Sequence, residues 1–441
     1  MSAQNPGGTG ATGSSTGSGG MPPSDQMSSP ARRRTRQFGT GAAVGIAVLM
    51  LAVGIGGGYF LGSYLTKVST STIDITETGS TLLEPLMDIW GPNYTSTVNS
   101  HVILSPSGGG SGQGQSESEA GTIDIGASDA YTAANLGVVD VPVAISSQLV
   151  VYNLGSGFHN VHLNLNGSIL GMIYTGKITA WNNPLIQAAN PGVTLPSTTI
   201  TPIYRGDSSG DTYIFTSYLY ISWAGWEKAG YINATKAFLP PTGKAPVGGI
   251  PGTGNIGVIG QLENYSGGIG YVGISYQSDV LANSKLGVAA LGDALANSAA
   301  GGNVTATPAD GKNYINWSTA NVSSDASLGL TQLNYAADGL AVSLIEGGSP
   351  AGATTWSPGG GGTAPTLADP NPYPITNLEY TLLKISPSSS SHQAYVVQFI
   401  QWAISYGNNV TNYLSKVGFI PLTPQLSGLD QEALAEVHIS S

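Results

Sequence analysis

The chain repeats one arrangement three times: a short β-type run, a turn rich in glycine and serine, and a run with helical spacing. The copies are "STIDITETGS" before "LLEPLMDIW", then "HVILSPSGGGSGQG", then "ITPIYRGDSSGDTYIFTSYL". Strands that alternate with helices are typical of an α/β architecture. Because the first turn of a helix carries unpaired N–H groups and the positive end of the helix dipole, such junctions favour anions.

Arg205 lies in the third junction and is isolated in the sequence. Arginine is otherwise confined to the cluster between positions 32 and 36. The guanidinium group presents a planar fork of donors that suits tetrahedral oxyanions. A serine or threonine before a helix is, taken alone, more often only an N-cap. The isolated arginine therefore favours the interpretation of the third junction as an anion-binding loop.

The composition excludes several classes of function. Only 9% of the residues are charged, and the formal net charge of −11 argues against a sequence-independent interaction with nucleic acid. The lack of cysteine excludes disulfides, thiol catalysis and thiolate metal sites. His159 and His162 form a close pair without a carboxylate nearby in the sequence, and a zinc site needs at least three protein ligands. We therefore predict neither a metal nor a cofactor.

The core of the third junction also resembles the sequence around the nucleophilic serine of serine proteases. A nucleophilic serine needs a histidine base that is held by a carboxylate. The sequence around His101, "NSHVILS", carries no supporting motif. Three serine-containing junctions are also better explained as hydrogen-bond donors than as one nucleophile with two spares. The sequence predicts that the protein is not an enzyme.

The N-terminal part of the chain predicts a membrane anchor. Residues 1–37 are rich in Gly, Ser, Thr and Pro, contain the arginine cluster, and are typical of a disordered tail. The uncharged run 38–65 is long enough to cross a hydrocarbon core of about 30 Å, whereas the apolar region of a cleaved signal peptide usually has only about 7–15 residues. We predict an uncleaved, single-pass transmembrane signal anchor, with the tail in the cytoplasm and the remainder of the chain outside.

Four segments resemble, in the same order, segments of the phosphate-binding receptor of high-affinity phosphate ABC transporters. They are "GTIDIGASDA" (121–130), "ILGMIYTGKITAWNNPLI" (169–186), "TPIYRGDSSGDTYIFTSYL" (201–219) and "YPITNLEYTLLK" (373–384). The resemblance covers about residues 72–425 and becomes weaker between roughly 285 and 365. It implies an α/β, bilobed type II periplasmic-binding-protein fold, in which two α/β lobes joined by crossover strands hold the ligand between them.

The resemblance also implies domain boundaries. The segments 141–154 and 373–384 are similar to the two crossover strands. Lobe 1 would then comprise residues 71–147 and 385–441, and lobe 2 would comprise residues 148–384. A Gly-rich segment at 347–365 predicts a flexible insertion in lobe 2.

The phosphate-binding positions of the family can be carried onto this chain residue by residue. Hydroxyl and backbone N–H donors fall on Thr81, Leu82, Ser111, Ser209 and Gly210. Arg205 would be the charged donor, and Asp207 the acid that orients it. Asp129 would accept a hydrogen bond from a proton on phosphate. Because sulfate carries no proton near neutral pH, this carboxylate would repel sulfate at a cost of several kcal/mol.

Asp211 departs from the family pattern, which has a threonine donor at this position. A second carboxylate would repel a phosphate dianion unless it too accepts a proton. Two interpretations remain open. In one, Asp211 turns away and caps a helix that begins at about Thr212. In the other, Asp211 accepts the second proton of H2PO4⁻ and tunes the site to a monoanion.

The implied function is a membrane-tethered, extracytoplasmic receptor that delivers inorganic phosphate to the permease and ATPase of an ABC transporter. One alternative is a binding protein tuned to another protonated oxyanion, such as arsenate or a phosphonate-like ester. Another is a surface structural or adhesion protein that kept the fold and lost the ligand. The joint presence of Thr81, Ser111, Asp129, Arg205 and Ser209 argues against this last alternative.

Overall fold

The computed structural model describes residues 72–132, 136–223, 225–231, 244–292, 314–318, 342–343, 349–350 and 373–439. The chain divides into two compact units, Met1–Ser69 and Thr70–Ser441, and every described residue belongs to the second. The predicted tail (1–37) and anchor (38–65) lie outside the described residues, as does most of the predicted insertion at 347–365. Within the described part of the chain, no helix has the length and apolar character needed to cross a bilayer.

One mixed sheet runs through the second unit. The described strands are β1 (Ile73–Gly79), β2 (Val102–Ser105), β3 (Ile125–Ser128), β4 (Val138–Asn153), β5 (Asn164–Asn166), β6 (Thr201–Arg205), β7 (Ile250–Gly252), β8 (Gly268–Gly273), β9 (Leu286–Val288), β10 (Ala290–Gly292), β11 (Tyr314–Ile315), β12 (Val342–Ser343), β13 (Ser349–Pro350) and β14 (Thr376–Lys384). The order in the large sheet is β2-β1-β3-β14-β4-β8-β6-β7, and β9 also pairs with β4. A small sheet has the order β11-β10-β5, and β12 pairs with β13.

Helices follow most of the parallel strands. The described α-helices are α1 (Glu84–Thr97), α2 (Ser111–Ala120), α3 (Gly167–Tyr174), α4 (Pro184–Ala189), α5 (Gly210–Ser222), α6 (Gly225–Lys228), α7 (Gly254–Asn264), α8 (Gln277–Ala282), α9 (Ser390–Ala403) and α10 (Pro424–Ala435). Helix α5 begins at Gly210, earlier than the predicted start near Thr212, because Ser209 already has the extended backbone of an N-cap residue.

The long strand β4 connects two halves of the sheet. Its first part, from Val138 to Ser147, pairs antiparallel with β14. Its later part, from Gln148 to Tyr152, pairs antiparallel with β8. Strands β1, β2 and β3 are parallel in the first half, and β6, β7 and β8 are parallel in the second. The predicted crossover segments fall on β4 and β14, and β4 passes from one parallel α/β core to the other.

Aromatic side chains hold α1 against α9 in the first half. Trp90 and Tyr94 pack edge-on against Trp402, with ring centroids 6.4 and 5.4 Å apart. The indole N–H of Trp90 also donates to the carbonyl oxygen of Gly407 at 2.9 Å. Such edge-on pairs contribute about 0.5–1.5 kcal/mol beyond the burial of their area. The segment after β14 is thereby fixed to the first helix of the unit.

The C-terminal helix α10 buries a carboxyl group, that of Asp430. The residue has no exposed surface, and neither carboxyl oxygen has a hydrogen-bond partner among the residues that the structure describes. Burial raises the pKa of Asp430 to about 8. Because an unpaired carboxylate is costly to bury, the folded protein holds Asp430 in its protonated form at neutral pH.

Replacing Asp430 by asparagine is expected to make the free energy of unfolding less dependent on pH. The unfolded chain releases this proton above about pH 4, whereas the folded protein keeps it up to about pH 8, so the stability falls as pH rises across this window. The substitution should remove a slope of up to about 1.4 kcal/mol per pH unit. Chemical unfolding at several pH values measures the slope, and Glu432→Gln, at an exposed position of the same helix, is the control. Equal slopes for the native chain and Asp430→Asn would contradict this prediction.

Candidate functional site

The loops that precede α2 and α5, one from each half of the sheet, are in direct backbone contact. The N–H of Gly112 donates to the carbonyl oxygen of Ser208 at 3.1 Å. Gly110 has a φ of 89°, and a Cβ at this position would lie 2.3 Å from the same carbonyl oxygen. Only glycine is compatible with this approach. The N-termini of the two helices therefore meet at one cleft between the halves.

Gly210, the first residue of α5, lies against residues from two other segments. A Cβ at Gly210 would be 2.5 Å from Ser111 Oγ and 2.6 Å from Asp129 Oδ2. Ser111 opens α2, and Asp129 follows the carboxyl end of β3. Since ligands of open α/β sheets bind outside the carboxyl ends of the strands, this cluster lies where a ligand is expected.

Arg205 ends β6 and is almost completely buried, with 1% of its side chain exposed. Its Nε donates to Asp207 Oδ1 at 2.7 Å, and its Nη2 donates to the other oxygen of the same carboxylate. Partial burial tends to raise the pKa of Asp207, but the hydrogen bonds and charge of Arg205 outweigh it and lower this pKa. A bidentate pair of this kind fixes the plane of the guanidinium group, so Asp207 orients Arg205.

Asp211 points into the cleft and has no exposed surface. Its Oδ2 accepts hydrogen bonds from Arg205 Nη1 and, at 2.8 Å, from Asn255 Nδ2. Its Oδ1 accepts one from Gln148 Nε2 at 3.1 Å. The interpretation in which Asp211 turns away to cap α5 is therefore not what the structure shows.

The pKa values of the two cleft aspartates are shifted in the same direction. Burial and the nearby Asp129 carboxylate together raise the pKa of Asp211 to about 7, although Arg205 opposes the shift. Burial also raises the pKa of Asp129, against hydrogen bonds from Glu379 and Ser80 and the positive charge of Arg205. Burial thus makes each carboxyl group easier to protonate than an exposed aspartate.

Glu379 is a third buried carboxyl at the cleft that the sequence analysis missed. It lies on β14, has no exposed surface, and accepts a hydrogen bond from Ser146 Oγ at 2.5 Å. Burial raises the pKa of Glu379 well above its usual range, and the nearby charge of Asp129 raises it further. The segment "YPITNLEYTLLK" could have indicated Glu379, because an acidic residue inside a predicted buried strand must be protonated or paired.

Ser80 was also missed, although it holds both Asp129 and the start of α1. Its hydroxyl donates to Asp129 Oδ1 and accepts the N–H groups of Leu82 at 3.1 Å and Leu83 at 3.0 Å. The Leu82 N–H, which the resemblance implied as a phosphate donor, is therefore engaged by Ser80 in this structure.

Asn255, on the first turn of α7, links the two halves across the cleft. Its Nδ2 donates to Thr81 Oγ1 at 3.0 Å as well as to Asp211, and its Oδ1 accepts the N–H of Gly273 at 2.8 Å. The sequence "GTGNIGVIG" around it contains no charged residue and no functional motif. Only the tertiary structure could identify Asn255 as a residue of the site.

Ser209 carries an unsatisfied hydroxyl group at the site. It is completely buried, and its Oγ has no hydrogen-bond partner within the described ranges. Although Ser209 is the N-cap residue of α5, its side chain makes no capping hydrogen bond. Leaving a buried hydroxyl unpaired costs about 1–3 kcal/mol, so a ligand that accepts a hydrogen bond would recover this energy. Ser111 Oγ accepts the N–H of Asp129 at 3.1 Å, and its hydroxyl also lowers the pKa of the Asp129 carboxyl as a hydrogen-bond donor.

A cavity of about 320 Å³ adjoins the site between the two halves. Thr81, Asp207 and Asn255 border both the site and the cavity, and Glu84 and Tyr276 line its far side. The arrangement combines one guanidinium group, several hydroxyl groups and two helix N-termini with carboxyl groups that accept protons. Chemically, groups of these kinds can together hold a small oxyanion that carries at least one proton.

The histidine pair lies away from this cluster and supports β9. His159 Nδ1 lies 2.7 Å from the carbonyl oxygen of Leu286, and His162 Nδ1 lies 3.0 Å from that of Val288. Across the residues described, no three side chains of the usual metal-binding types are arranged to hold an ion.

Sequence comparison identifies related proteins. The family model of the PBP superfamily domain matches residues 66–405. The phosphate-binding protein PstS of Xylella fastidiosa is 28% identical over 368 residues, which are 81% of this chain and 84% of that protein. The phosphate-binding protein PstS of Methanocaldococcus jannaschii is 31% identical over 258 residues, which are 56% of this chain and 63% of that protein.

The solved structures show the same fold. A high-affinity periplasmic phosphate-binding protein, solved with bound phosphate, superposes with a TM-score of 0.59 and 19% sequence identity. The match covers 82% of this chain and 93% of that one. At this identity the likeness concerns the architecture, and the roles of individual side chains depend on the contacts described above.

Proposed function

Because the chain belongs to the PBP superfamily, we propose that it is an extracytoplasmic receptor that binds inorganic phosphate and delivers it to an ABC transporter. It has the α/β bilobed periplasmic-binding-protein fold, and the relatives named phosphate-binding proteins support this ligand. The observation that carries the proposal is the buried guanidinium group of Arg205, held beside the unsatisfied hydroxyl of Ser209 and the proton-accepting carboxyl of Asp129.

Donors from both halves would surround the bound anion. Arg205 would supply the positive charge, with Asp207 keeping its plane fixed. Thr81, Ser111 and Ser209 would donate from their hydroxyl groups, and Gly210 from its backbone N–H at the start of α5. These groups are already buried and oriented, so little conformational entropy is lost when the anion enters. Leu82 would contribute its N–H only if Ser80 releases it.

The carboxyl group of Asp129 would give the site its selectivity for phosphate. Phosphate near neutral pH carries a proton that an ionised carboxylate accepts in a hydrogen bond, whereas sulfate carries none. Against sulfate the same carboxylate would be an unpaired like charge in a dry cleft, at a cost of several kcal/mol. Glu379 supports this arrangement, because its hydrogen bond with Asp129 raises the pKa of Glu379 and lowers that of Asp129, which favours Asp129 as the acceptor.

Calorimetric titration of the full chain tests the proposal. We expect phosphate to fill one high-affinity site, and a large excess of sulfate to leave the phosphate affinity almost unchanged. Arsenate, which is protonated like phosphate, is expected to compete. Displacement of phosphate by sulfate would contradict the role of Asp129, and the absence of any phosphate binding would contradict the proposed function.

For Asp211 we favour the interpretation that it accepts the second proton of H2PO4⁻. Its orientation toward Arg205 and its raised pKa both support a position next to the bound anion. Asp211 accepts a hydrogen bond from Arg205 Nη1, so an entering anion would compete for this donor. The site would then prefer the phosphate monoanion to the dianion.

A phosphonate-like ester is the second candidate ligand, and the adjoining cavity of about 320 Å³ is the observation that favours it. The phosphoryl group would occupy the same donors, and the organic substituent would extend past Thr81 and Asp207. A titration with methylphosphonate, compared with inorganic phosphate under the same conditions, separates the two ligands. Tighter binding of methylphosphonate would assign the site to esters and phosphonates.

Residues 38–65 would tether the receptor to the cell membrane, with the N-terminus in the cytoplasm. Their length without charge and the preceding arginine cluster support this topology. A tethered receptor is held at a high effective concentration near its permease, so weak docking suffices. Retention of the full chain in carbonate-washed membranes, and loss of this retention on deletion of 38–65, would support the anchor. Release of the full chain by carbonate would contradict it.

A further inference from the structure

Gln148 lies at the point where strand β4 changes its partner. Ser147 is the last residue of β4 that pairs with β14, and Gln148 is the first that pairs with β8. The backbone N–H of Gln148 donates to the carbonyl oxygen of Ile375 at 3.2 Å, and its carbonyl oxygen accepts the hydroxyl of Tyr373 at 2.8 Å. Two long-range hydrogen bonds thus fix the backbone of Gln148, and its side chain is completely buried.

The side-chain amide of Gln148 faces Asp211 in a defined orientation. Nε2 donates to the backbone carbonyl oxygen of Asp211 at 3.0 Å and to its Oδ1 at 3.1 Å. Because a backbone carbonyl oxygen only accepts, the reversed amide would bring Oε1 against an obligate acceptor. The observed orientation is kept although it leaves Oε1 buried and without a hydrogen-bond partner in any segment that the structure describes. The contact with Asp211 therefore decides how the amide lies.

Each hydrogen bond described for the Asp211 carboxyl group comes from a donor. Gln148 Nε2 donates to Oδ1, and Arg205 Nη1 and Asn255 Nδ2 donate to Oδ2. A guanidinium group cannot accept, and the amide of Asn255 is fixed because its Oδ1 accepts the N–H of Gly273 at 2.8 Å. Donors stabilise a carboxylate relative to its protonated form. These three groups therefore favour Asp211 as a hydrogen-bond acceptor.

The other influences on Asp211 come from titratable groups. Burial and the charge of Asp129 raise the pKa of Asp211, whereas the charge of Arg205 and the hydrogen bonds from Gln148 and Asn255 lower it. The titratable groups that face Asp211 come from β6, the end of β3, β14, β8 and the turn after β8, and they are Arg205, Asp129, Glu379, Tyr271 and Tyr276. Gln148 is uncharged, so replacing it removes a donor and leaves this set of charges intact.

We propose that Gln148 is a positioning residue for phosphate binding, which holds the Asp211 carboxyl group in the cleft as a hydrogen-bond acceptor and sets the pH range in which the site binds the anion. This role rests on the proposed function, in which Asp211 lies next to the bound phosphate. The amide acts through Asp211, because both hydrogen bonds of Nε2 go to that residue. Without this donor, Asp211 would release its proton only at higher pH.

Phosphate titrations of Gln148→Met at several pH values test the proposal. Methionine is similar in length and volume but has no amide. Dividing the affinity of the variant by that of the native chain at each pH cancels the proton equilibrium of phosphate itself. At low pH Asp211 is protonated in both proteins, whereas above about pH 7 it ionises first in the native chain. We expect the ratio to rise about tenfold between about pH 6 and about pH 9, since a lost hydrogen bond to a charged group corresponds to about one pH unit.

A double variant shows whether Gln148 acts through Asp211. When Gln148→Met is added to Asp211→Thr, the affinity relative to Asp211→Thr alone should not change with pH, because the residue that the amide positions is gone. Gln393→Met replaces another buried glutamine, in helix α9, which contributes no residue to the site, and its ratio to the native chain should also stay constant. Gln148→Leu should reproduce the rise even if Gln148→Met folds poorly.

The outcomes separate the role of Gln148 from the proposed receptor. A ratio that stays constant with pH in Gln148→Met and Gln148→Leu would overturn this role, and so would an equal rise in the Asp211→Thr background. Both results require that the native chain binds phosphate, so neither would affect the receptor. Absence of phosphate binding by the native chain would instead contradict the receptor, and the role of Gln148 with it.

Discussion

Replacing Arg205 by alanine is expected to lower the affinity for phosphate by at least about a hundredfold. The guanidinium group is buried between Asp207 and Asp211, and removing one partner from such a cluster costs about 3–5 kcal/mol. Each 1.4 kcal/mol corresponds to about a tenfold change in affinity, so a loss of this size gives at least about a hundredfold. Titration calorimetry with phosphate measures the effect directly.

Two further variants make this experiment decisive. Arg205→Lys keeps the positive charge but not the planar fork, and should retain an intermediate affinity even if Arg205→Ala folds poorly. Lys285→Ala removes one positive charge from an exposed position and should bind phosphate with the native affinity. Native-like affinity in a folded Arg205→Ala protein would remove Arg205 from the binding site.

Replacing Asp211 by threonine is expected to change the pH dependence of phosphate binding. In the native chain, the affinity should fall as pH rises, because the ligand loses the proton that Asp211 would accept and Asp211 itself ionises above about pH 7. The variant places a hydroxyl donor where the carboxylate was. At about pH 8 it should bind phosphate roughly ten- to a hundredfold more tightly than the native chain, since a buried like charge is removed.

Phosphate titrations at several pH values, run in parallel on both proteins, provide the comparison. Asp279→Asn, which alters an exposed aspartate, should leave the native pH profile unchanged. If the native chain and Asp211→Thr showed parallel profiles, Asp211 would have no part in selecting the protonation state of the ligand.

The buried carboxyl groups also link the site to the pH dependence of stability. Asp129, Asp211, Glu379 and Asp430 all have raised pKa values in the folded protein, with burial as the largest cause. Each group holds its proton more tightly in the folded protein than in the unfolded chain, so each contributes to a stability that falls as pH rises toward its raised pKa. A receptor with this set of groups is suited to an acidic exterior, where the phosphate monoanion also predominates.

Local sequence patterns were sufficient for the α/β class. Each strand–turn–helix junction is specified by residues close in sequence, because alternating apolar residues, glycine turns and N-cap side chains act over a few positions. Arg205 stood out for a reason of composition, because every other arginine lies between positions 32 and 36. The pairing of Arg205 with Asp207 is likewise a short-range contact.

The bilobed arrangement was predicted from the resemblance. In the structure, strand β4 is what connects the two halves. The strand pairs with β14 along its first part and with β8 along its second, and these partners lie far apart in sequence. Strand pairing over such separations depends on long-range contacts that periodicity in one segment does not encode. Helix α5 begins earlier than predicted for a local reason. Ser209 is its N-cap residue, and the helix therefore starts before the apolar pattern on which the prediction relied.

The remaining features of the site were decided only by the tertiary structure. Whether Asp211 capped a helix or entered the cleft depended on Gln148 and Asn255, which approach it from β4 and α7. Glu379 became part of the site because β14 passes beside Asp129, and burial there, together with the charge of Asp129, raises its pKa. From the sequence alone, the types of donor and the ligand class could be predicted, because they depend on the chemistry of single residues. The protonation and direction of the carboxyl groups could not, because they depend on which distant segments exclude water from them.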